Sequence, residues 1–107
     1  MNKVILSFDA KEDLNEIRKY ITEDLNSPSA ADGVVAKITK SLRNLETNPF
    51  LGAPLSSHVD FETNYRFLVC GNYLAFYRSE ENTVYISRIL YGRRDYLKIL
   101  FKDETKE

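Results

Sequence analysis

Arginine and tyrosine side chains are concentrated in residues 64–101, where together they could bind an anionic partner. Arg66 follows Tyr65 at the start of a run rich in β-branched and aromatic residues. A guanidinium binds phosphate through two parallel hydrogen bonds, and tyrosine rings stack on unpaired bases. The pattern therefore favours a phosphate-binding sheet face centred on Arg66. The alternative is structural: Arg66 pairs with a carboxylate, and the tyrosines are amphipathic surface side chains.

A second basic group lies near the end of the same region. Arg93 and Arg94 follow Gly92 directly after a predicted strand, and two adjacent guanidiniums could hold a phosphate or an acidic segment of a partner. The alternative is a polar turn in which Asp95 caps a final helix and Tyr96 packs on the core. The residues predicted to bind a partner are Tyr73, Tyr85, Arg88 and Arg93.

Composition indicates one globular domain without a cofactor. A chain of 107 residues, 43% hydrophobic and 29% charged, is long enough for one modest core. We expect a single domain over residues 1–107, with residues 102–107 as a frayed tail. Cys70 is the only cysteine and His58 the only histidine, so neither a disulfide nor a metal site is predicted.

The N-terminal residues and the charge distribution indicate where the protein is located and what kind of partner it binds. Apolar runs fall short of the roughly 18 residues that a membrane span needs, and the N-terminus does not resemble a signal peptide, so a cytoplasmic protein is expected. The net charge is −1, yet residues 64–102 carry seven basic and three acidic side chains. This local excess of positive charge suits an anionic partner.

The elements that must position these side chains follow from hydrophobic periodicity. Residues 3–8 are predicted to form a strand, after which Asp9 caps a first amphipathic helix. A second helix begins at Pro28 and ends near residues 48–49, so that two helices joined by a short turn form an antiparallel hairpin. A loop over residues 49–63 follows.

Three strand-like runs over residues 65–91 predict an antiparallel meander. A two-residue turn at Gly71 and Asn72 pairs Phe67 with Phe76 and Arg66 with Tyr77. We expect the face with Phe67 and Phe76 to pack on the helix hairpin. The opposite face is then open and carries Arg66, Leu68, Cys70, Tyr73, Ala75, Tyr77, Tyr85, Ser87 and Ile89. A longer turn that pairs Ser79 with Thr83 is predicted to place Arg88 on the core side, from which it reaches solvent at the end of the sheet.

Taken together, these features resemble the RelE/ParE superfamily of toxins from type II toxin–antitoxin systems. The resemblance lies in the opening strand and helix hairpin, in Asn48-Pro49 with Gly52-Ala53-Pro54, in Tyr65-Arg66 leading to Gly71-Asn72-Tyr73, and in residues 86–96. It implies an α+β, microbial ribonuclease-like fold: a two-helix hairpin on one face of an antiparallel β-sheet, with a short C-terminal helix.

The superfamily divides into two mechanisms. One branch cleaves ribosome-bound mRNA without a metal, and the resemblance implies Arg66, Tyr77, Arg94 and Tyr96 as catalytic residues if this chain does so. Leu68 and Leu74 stand where that branch often has further basic residues, and arginine and tyrosine are poor general bases at their ordinary pKa values. The other branch poisons DNA gyrase, and its members resemble this chain in the helix hairpin and in the loop at residues 49–54.

The sequence thus predicts a growth-inhibiting toxin, with the gyrase-directed activity favoured over the mRNA endonuclease. A third possibility is a non-toxic relic that binds only its antitoxin and DNA. The resemblance implies a small antitoxin with an acidic segment as partner, operator DNA reached through that antitoxin, and gyrase or the ribosome with mRNA as target.

Overall fold

A computed structural model describes residues 1–101, so the predicted frayed tail at residues 102–107 lies outside the described residues. The elements are β1 (Lys3–Leu6), α1 (Phe8–Lys19), α2 (Pro28–Arg43), β2 (Ala53–Pro54), β3 (Arg66–Cys70), β4 (Tyr73–Glu80), β5 (Thr83–Tyr91) and α3 (Tyr96–Leu100). A π-helical turn (Tyr20–Asp24) extends α1, and short 3-10 turns follow α2 and β2.

The predicted α+β architecture is confirmed. Two helices and a short C-terminal helix pack on a single five-stranded sheet with the order β1-β5-β4-β3-β2. The sheet is mixed, because β1 runs parallel to β5 while the other neighbours are antiparallel. A parallel neighbour requires a long crossover connection, and the helix hairpin supplies the first part of it. In residues 1–101, no helix is both long and apolar enough to cross a bilayer.

Helix ends show how local chemistry sets the boundaries. The first helix begins at Phe8, and Ser7 rather than Asp9 caps it, since the Ser7 hydroxyl accepts a 2.9 Å hydrogen bond from the Ala10 N–H. Asp9 lies in the first turn, where the helix dipole favours an acid. The π-helical turn changes the phase of the apolar stripe, so that Leu25 remains 56% exposed.

The hairpin at Gly71 and Asn72 has the predicted register. Phe67 pairs with Phe76 and Arg66 with Tyr77. Between β4 and β5 the register differs from the prediction, because Glu80, not Ser79, pairs with Thr83 across a two-residue turn whose residues have positive φ. A β-bulge then inserts one residue opposite the Phe76–Tyr77 step, and this moves Arg88 to a position opposite Phe76.

The assignment of the two sheet faces was reversed in the sequence prediction. The helix hairpin packs on the face that was expected to be open, where the buried side chains are Leu68, Cys70, Ala75, Tyr77, Val84, Ile86 and Ile89. The face with Phe67 and Phe76 instead packs against α3 and the loop that contains Leu55. Both faces of the central strands are apolar, so side-chain alternation alone could not identify the one that the helices cover.

Candidate functional site

The Arg66 side chain binds a neighbouring loop and is not free on an exposed face of the sheet. Its guanidinium donates a 2.6 Å hydrogen bond to the carbonyl oxygen of Gly52 and lies 4.8 Å from the ring centroid of Phe50. The side chain is half-buried at the start of β3. Because a backbone carbonyl and an aromatic face occupy it, Arg66 acts in this structure as a positioning residue for residues 49–52.

Tyr77 completes the attachment of the same loop. Its hydroxyl donates a 2.8 Å hydrogen bond to the carbonyl oxygen of Pro49 and accepts a 2.9 Å hydrogen bond from the Gly52 N–H. The residue has no exposed surface, so the expectation that it lies on an open face is wrong. Burial raises the pKa of Tyr77, an effect that the Gly52 hydrogen bond and the charge of Arg66 only partly offset.

Arg88 forms a partly buried ion pair with a helix, and its side chain remains 23% exposed. Its Nε and terminal nitrogen each donate a 2.8 Å hydrogen bond to the carboxylate of Asp13 on α1. The same carboxylate accepts a 2.9 Å hydrogen bond from the Ile89 N–H, which the bulge leaves facing the helix. The pKa of Arg88 is raised, chiefly because of its hydrogen bond to Asp13. This residue therefore joins β5 to α1.

Arg94 lies at a groove between the helix hairpin and the end of β5. The groove has a volume of about 670 Å³ and an apolar floor, with Glu16 and Tyr20 from the first helix on one side and Tyr73, Tyr91 and Arg94 on the other. The rings of Tyr73 and Tyr91 are 5.9 Å apart in an edge-to-face arrangement. Burial raises the pKa of Tyr73, and Tyr20 and Tyr91 raise it further. The groove therefore combines apolar surface with two acidic side chains, Asp13 and Glu16, and one basic side chain, Arg94.

The remaining predicted site residues lie elsewhere. Tyr96 is half-buried in α3, and its ring is 5.1 Å from that of Phe76, on the face opposite the helix hairpin. Tyr85 lies beside the guanidinium of Arg78, which is 4.9 Å from its ring centroid. Arg93 is exposed in the turn that precedes α3.

These positions do not form one constellation. Tyr77 belongs to the core beneath the helix hairpin and Tyr96 to the core beneath α3, so the sheet separates the two phenols. Arg66 holds the loop beside Tyr77, whereas Arg94 lines the groove at the other end of the sheet. His58 is exposed and packs edge-on against Phe67. Among residues 1–101, no three histidine, cysteine or acidic side chains lie close enough together to hold a metal ion.

Two residues that bind the predicted site residues were not identified from the sequence. Asp13 is not among the residues that the sequence analysis singles out, yet it is 7% exposed and binds Arg88. Its position one turn from buried Ile17 on the apolar stripe is the signal that could have identified it. Gly52 was interpreted as a loop glycine, although both its N–H and its carbonyl are held by side chains.

Comparison with known proteins agrees with this architecture. The family model for the ParE toxin of the type II toxin–antitoxin system parDE matches residues 4–96. A solved structure described as the chromosomal ParDE TA system from P. aeruginosa contains a similar chain, with a TM-score of 0.72 and 24% sequence identity over 85% of this chain and 96% of that one. At this identity the likeness shows the fold. The search of curated protein sequences gave no match.

Proposed function

We propose that this chain, which belongs to the ParE toxin family of type II toxin–antitoxin systems, stops growth by binding and poisoning DNA gyrase rather than by cutting mRNA. As a type II toxin it has an antitoxin as partner, and we infer that this antitoxin carries an acidic segment and brings the toxin to operator DNA. The proposal places the protein in the cytoplasm, where both candidate targets are found.

One observation carries the choice of mechanism: the four residues that a nuclease would need are dispersed. Cleavage by the ribose 2′-hydroxyl requires a base, an acid for the leaving group and charge stabilisation at the same phosphate. Tyr77 and Tyr96 lie on opposite faces of the sheet, and Arg66 is bound to the Gly52 carbonyl. A single phosphate therefore has no shared position among them in this conformation.

Acid–base properties support the same choice. A tyrosine could act as a base near neutral pH only if its pKa were lowered by several units. Burial instead raises the pKa of Tyr73 and of Tyr77. Both phenols therefore remain protonated at neutral pH and could serve only as weak acids or hydrogen-bond donors.

Controlled expression of the chain without its antitoxin tests the proposal. We expect growth to stop with cleaved chromosomal DNA and an SOS response, while messages on ribosomes stay intact. The Tyr96→Phe variant removes only a hydroxyl that a nuclease would use, and we expect it to stop growth as fully as the wild type does. Quantitative plating, DNA integrity and mapping of mRNA ends provide the measurements.

Other outcomes would point elsewhere. Messages cut on ribosomes, together with loss of growth arrest in Tyr96→Phe, would contradict the proposal and favour the endonuclease. Normal growth at a confirmed level of folded protein would favour a relic that binds only its antitoxin and DNA.

A further inference from the structure

Strand β1 forms one edge of the sheet, next to β5. The Lys3 N–H donates a 2.9 Å hydrogen bond to the Asn82 carbonyl oxygen, so the backbone groups of Lys3 and Ile5 face β5. Backbone groups alternate direction along a strand, so the N–H and C=O groups of Val4 and Leu6 point outward. Among residues 1–101, no strand pairs with β1 on that outer side.

Exposed apolar side chains lie along this edge and at both of its ends. Val4 and Leu6 pack against the core beneath the helix hairpin, so Ile5 projects from the opposite face, where it is 42% exposed. Phe8, shortly after β1, is 74% exposed, and Met1 before it is 93% exposed. A partner that covers these side chains would remove apolar surface from water, and this favours association.

The charges at the two ends of β1 are opposite in sign. Lys3 at the N-terminal end is exposed and shares the face of Ile5, since one residue separates them. Asp9, just beyond the C-terminal end, is exposed and lines a pocket with Tyr65 and Leu100 on that same face. When two such strands align antiparallel, the basic end of each lies beside the acidic end of the other. The edge is therefore self-complementary in charge.

We propose that two copies of this chain pair antiparallel through β1, about a two-fold axis at Ile5. Val4 of each copy then lies opposite Leu6 of the other, and each such pair exchanges both of its backbone hydrogen bonds. The two Ile5 side chains meet at the axis, and Lys3 of each copy approaches Asp9 of the other. The five-stranded sheets of the two copies become continuous across the axis.

A contact at the end of α2 determines this register. The Asn2 N–H and the Asn2 side-chain amide donate hydrogen bonds of 2.8 and 3.1 Å to the Glu46 carbonyl oxygen, which closes the outer edge before Val4. A register shifted toward the N-terminus would require Asn2 to release Glu46. A register shifted toward the C-terminus would place Val4 against Phe8, which already belongs to α1. Only the register centred on Ile5 pairs both outward-facing residues.

A second copy of the chain matches this edge better than a nucleic acid does. Asp9 would repel phosphates, and phosphates would leave the carbonyl groups of Val4 and Leu6 without donors. A strand of the same sequence supplies donors, acceptors, apolar surface and the opposite charge at each end. Because β1 has four residues, the interface is small, and we expect a dissociation constant on the order of 10 µM.

Sedimentation velocity of the purified chain, freed from its antitoxin, tests the pairing. We expect mostly monomer at about 1 µM and mostly dimer at about 100 µM. Lys3→Glu and Asp9→Lys each bring like charges together and should weaken the dimer by at least about fivefold. The double variant exchanges the two charges, and its affinity should return to within about twofold of the wild type.

The matched control is Glu23→Lys, which changes the charge by the same amount as Asp9→Lys does. Glu23 is exposed in the π-helical turn beyond the far end of α1, so this variant should associate like the wild type.

Amide hydrogen exchange locates the paired strand. Between dilute and concentrated protein, we expect exchange at the Val4 and Leu6 amides to slow by at least about tenfold. The amides of Lys3 and Ile5 face β5 in the monomer already, so their exchange should change little.

Four results would overturn the proposal. The first is a monomer at every concentration, and the second is a dimer in which Val4 and Leu6 exchange as fast as in the monomer. The third is a double variant that associates no better than the single ones. The fourth is protection of these amides only when the antitoxin is added, which would assign the β1 edge to the antitoxin. The proposed action on gyrase does not depend on any of these results.

Discussion

The Asp13→Asn variant is expected to lose about 2–3 kcal/mol of its free energy of unfolding, because the buried position loses charge-assisted hydrogen bonds and the partly exposed Arg88 guanidinium loses its partner. Asp13 is 7% exposed and accepts hydrogen bonds from Arg88 and from the Ile89 N–H. An amide of the same shape keeps the packing but loses the charge. Equilibrium denaturation in urea measures the difference.

The matched control is Asp9→Asn, an exposed acid in the first turn of the same helix, for which we expect a loss of under about 1 kcal/mol. Combining Asp13→Asn with Arg88→Met should recover part of the lost stability, since the stranded charge is then removed. If Asp13→Asn unfolds at the wild-type denaturant concentration, the ion pair does not stabilise the junction between β5 and α1.

Replacing Gly52 with alanine should lower the free energy of unfolding by a comparable amount. A Cβ at this position would lie 2.5 Å from the Phe67 carbonyl oxygen and 2.8 Å from the Tyr77 hydroxyl. Because the nearer atom belongs to the backbone of β3, the loop must move away and release its hydrogen bonds to Tyr77 and Arg66. We expect a loss of about 3 kcal/mol, at the upper end for overpacking.

At Gly33, in contrast, replacement by alanine should stabilise the protein. It lies exposed inside α2, and a Cβ there would meet no atom within 4 Å. Gly33→Ala should therefore raise the free energy of unfolding by about 0.5–1 kcal/mol, since alanine favours the helix. Equal effects of the two substitutions would show that close contact at Gly52 is not what constrains the loop.

Local patterns predicted the elements of this fold well. Pro28 begins α2 as expected, and the turn at Gly71 and Asn72 fixed the register of Phe67 against Phe76, because a two-residue hairpin allows one pairing. The short C-terminal helix also begins after Asp95, whose side chain caps it.

Long-range packing could not be predicted in the same way. The bulge near Ser87 leaves no clear pattern in the sequence, yet it shifts the pairing of Arg88 and exposes the Ile89 N–H to Asp13. Which apolar face the helices cover depends on the whole hydrophobic core, so Tyr77 was placed on the open side when it is buried. The structure therefore does not bring the candidate site residues together on one open face as the sequence predicted.

The most direct test of the central claim uses purified DNA gyrase, supercoiled plasmid and the purified chain freed from its antitoxin. The proposal predicts cleaved plasmid that depends on both gyrase and the chain, with no cleavage when the antitoxin is added back. Intact plasmid under these conditions, together with cutting of mRNA on programmed ribosomes by the same preparation, would contradict it.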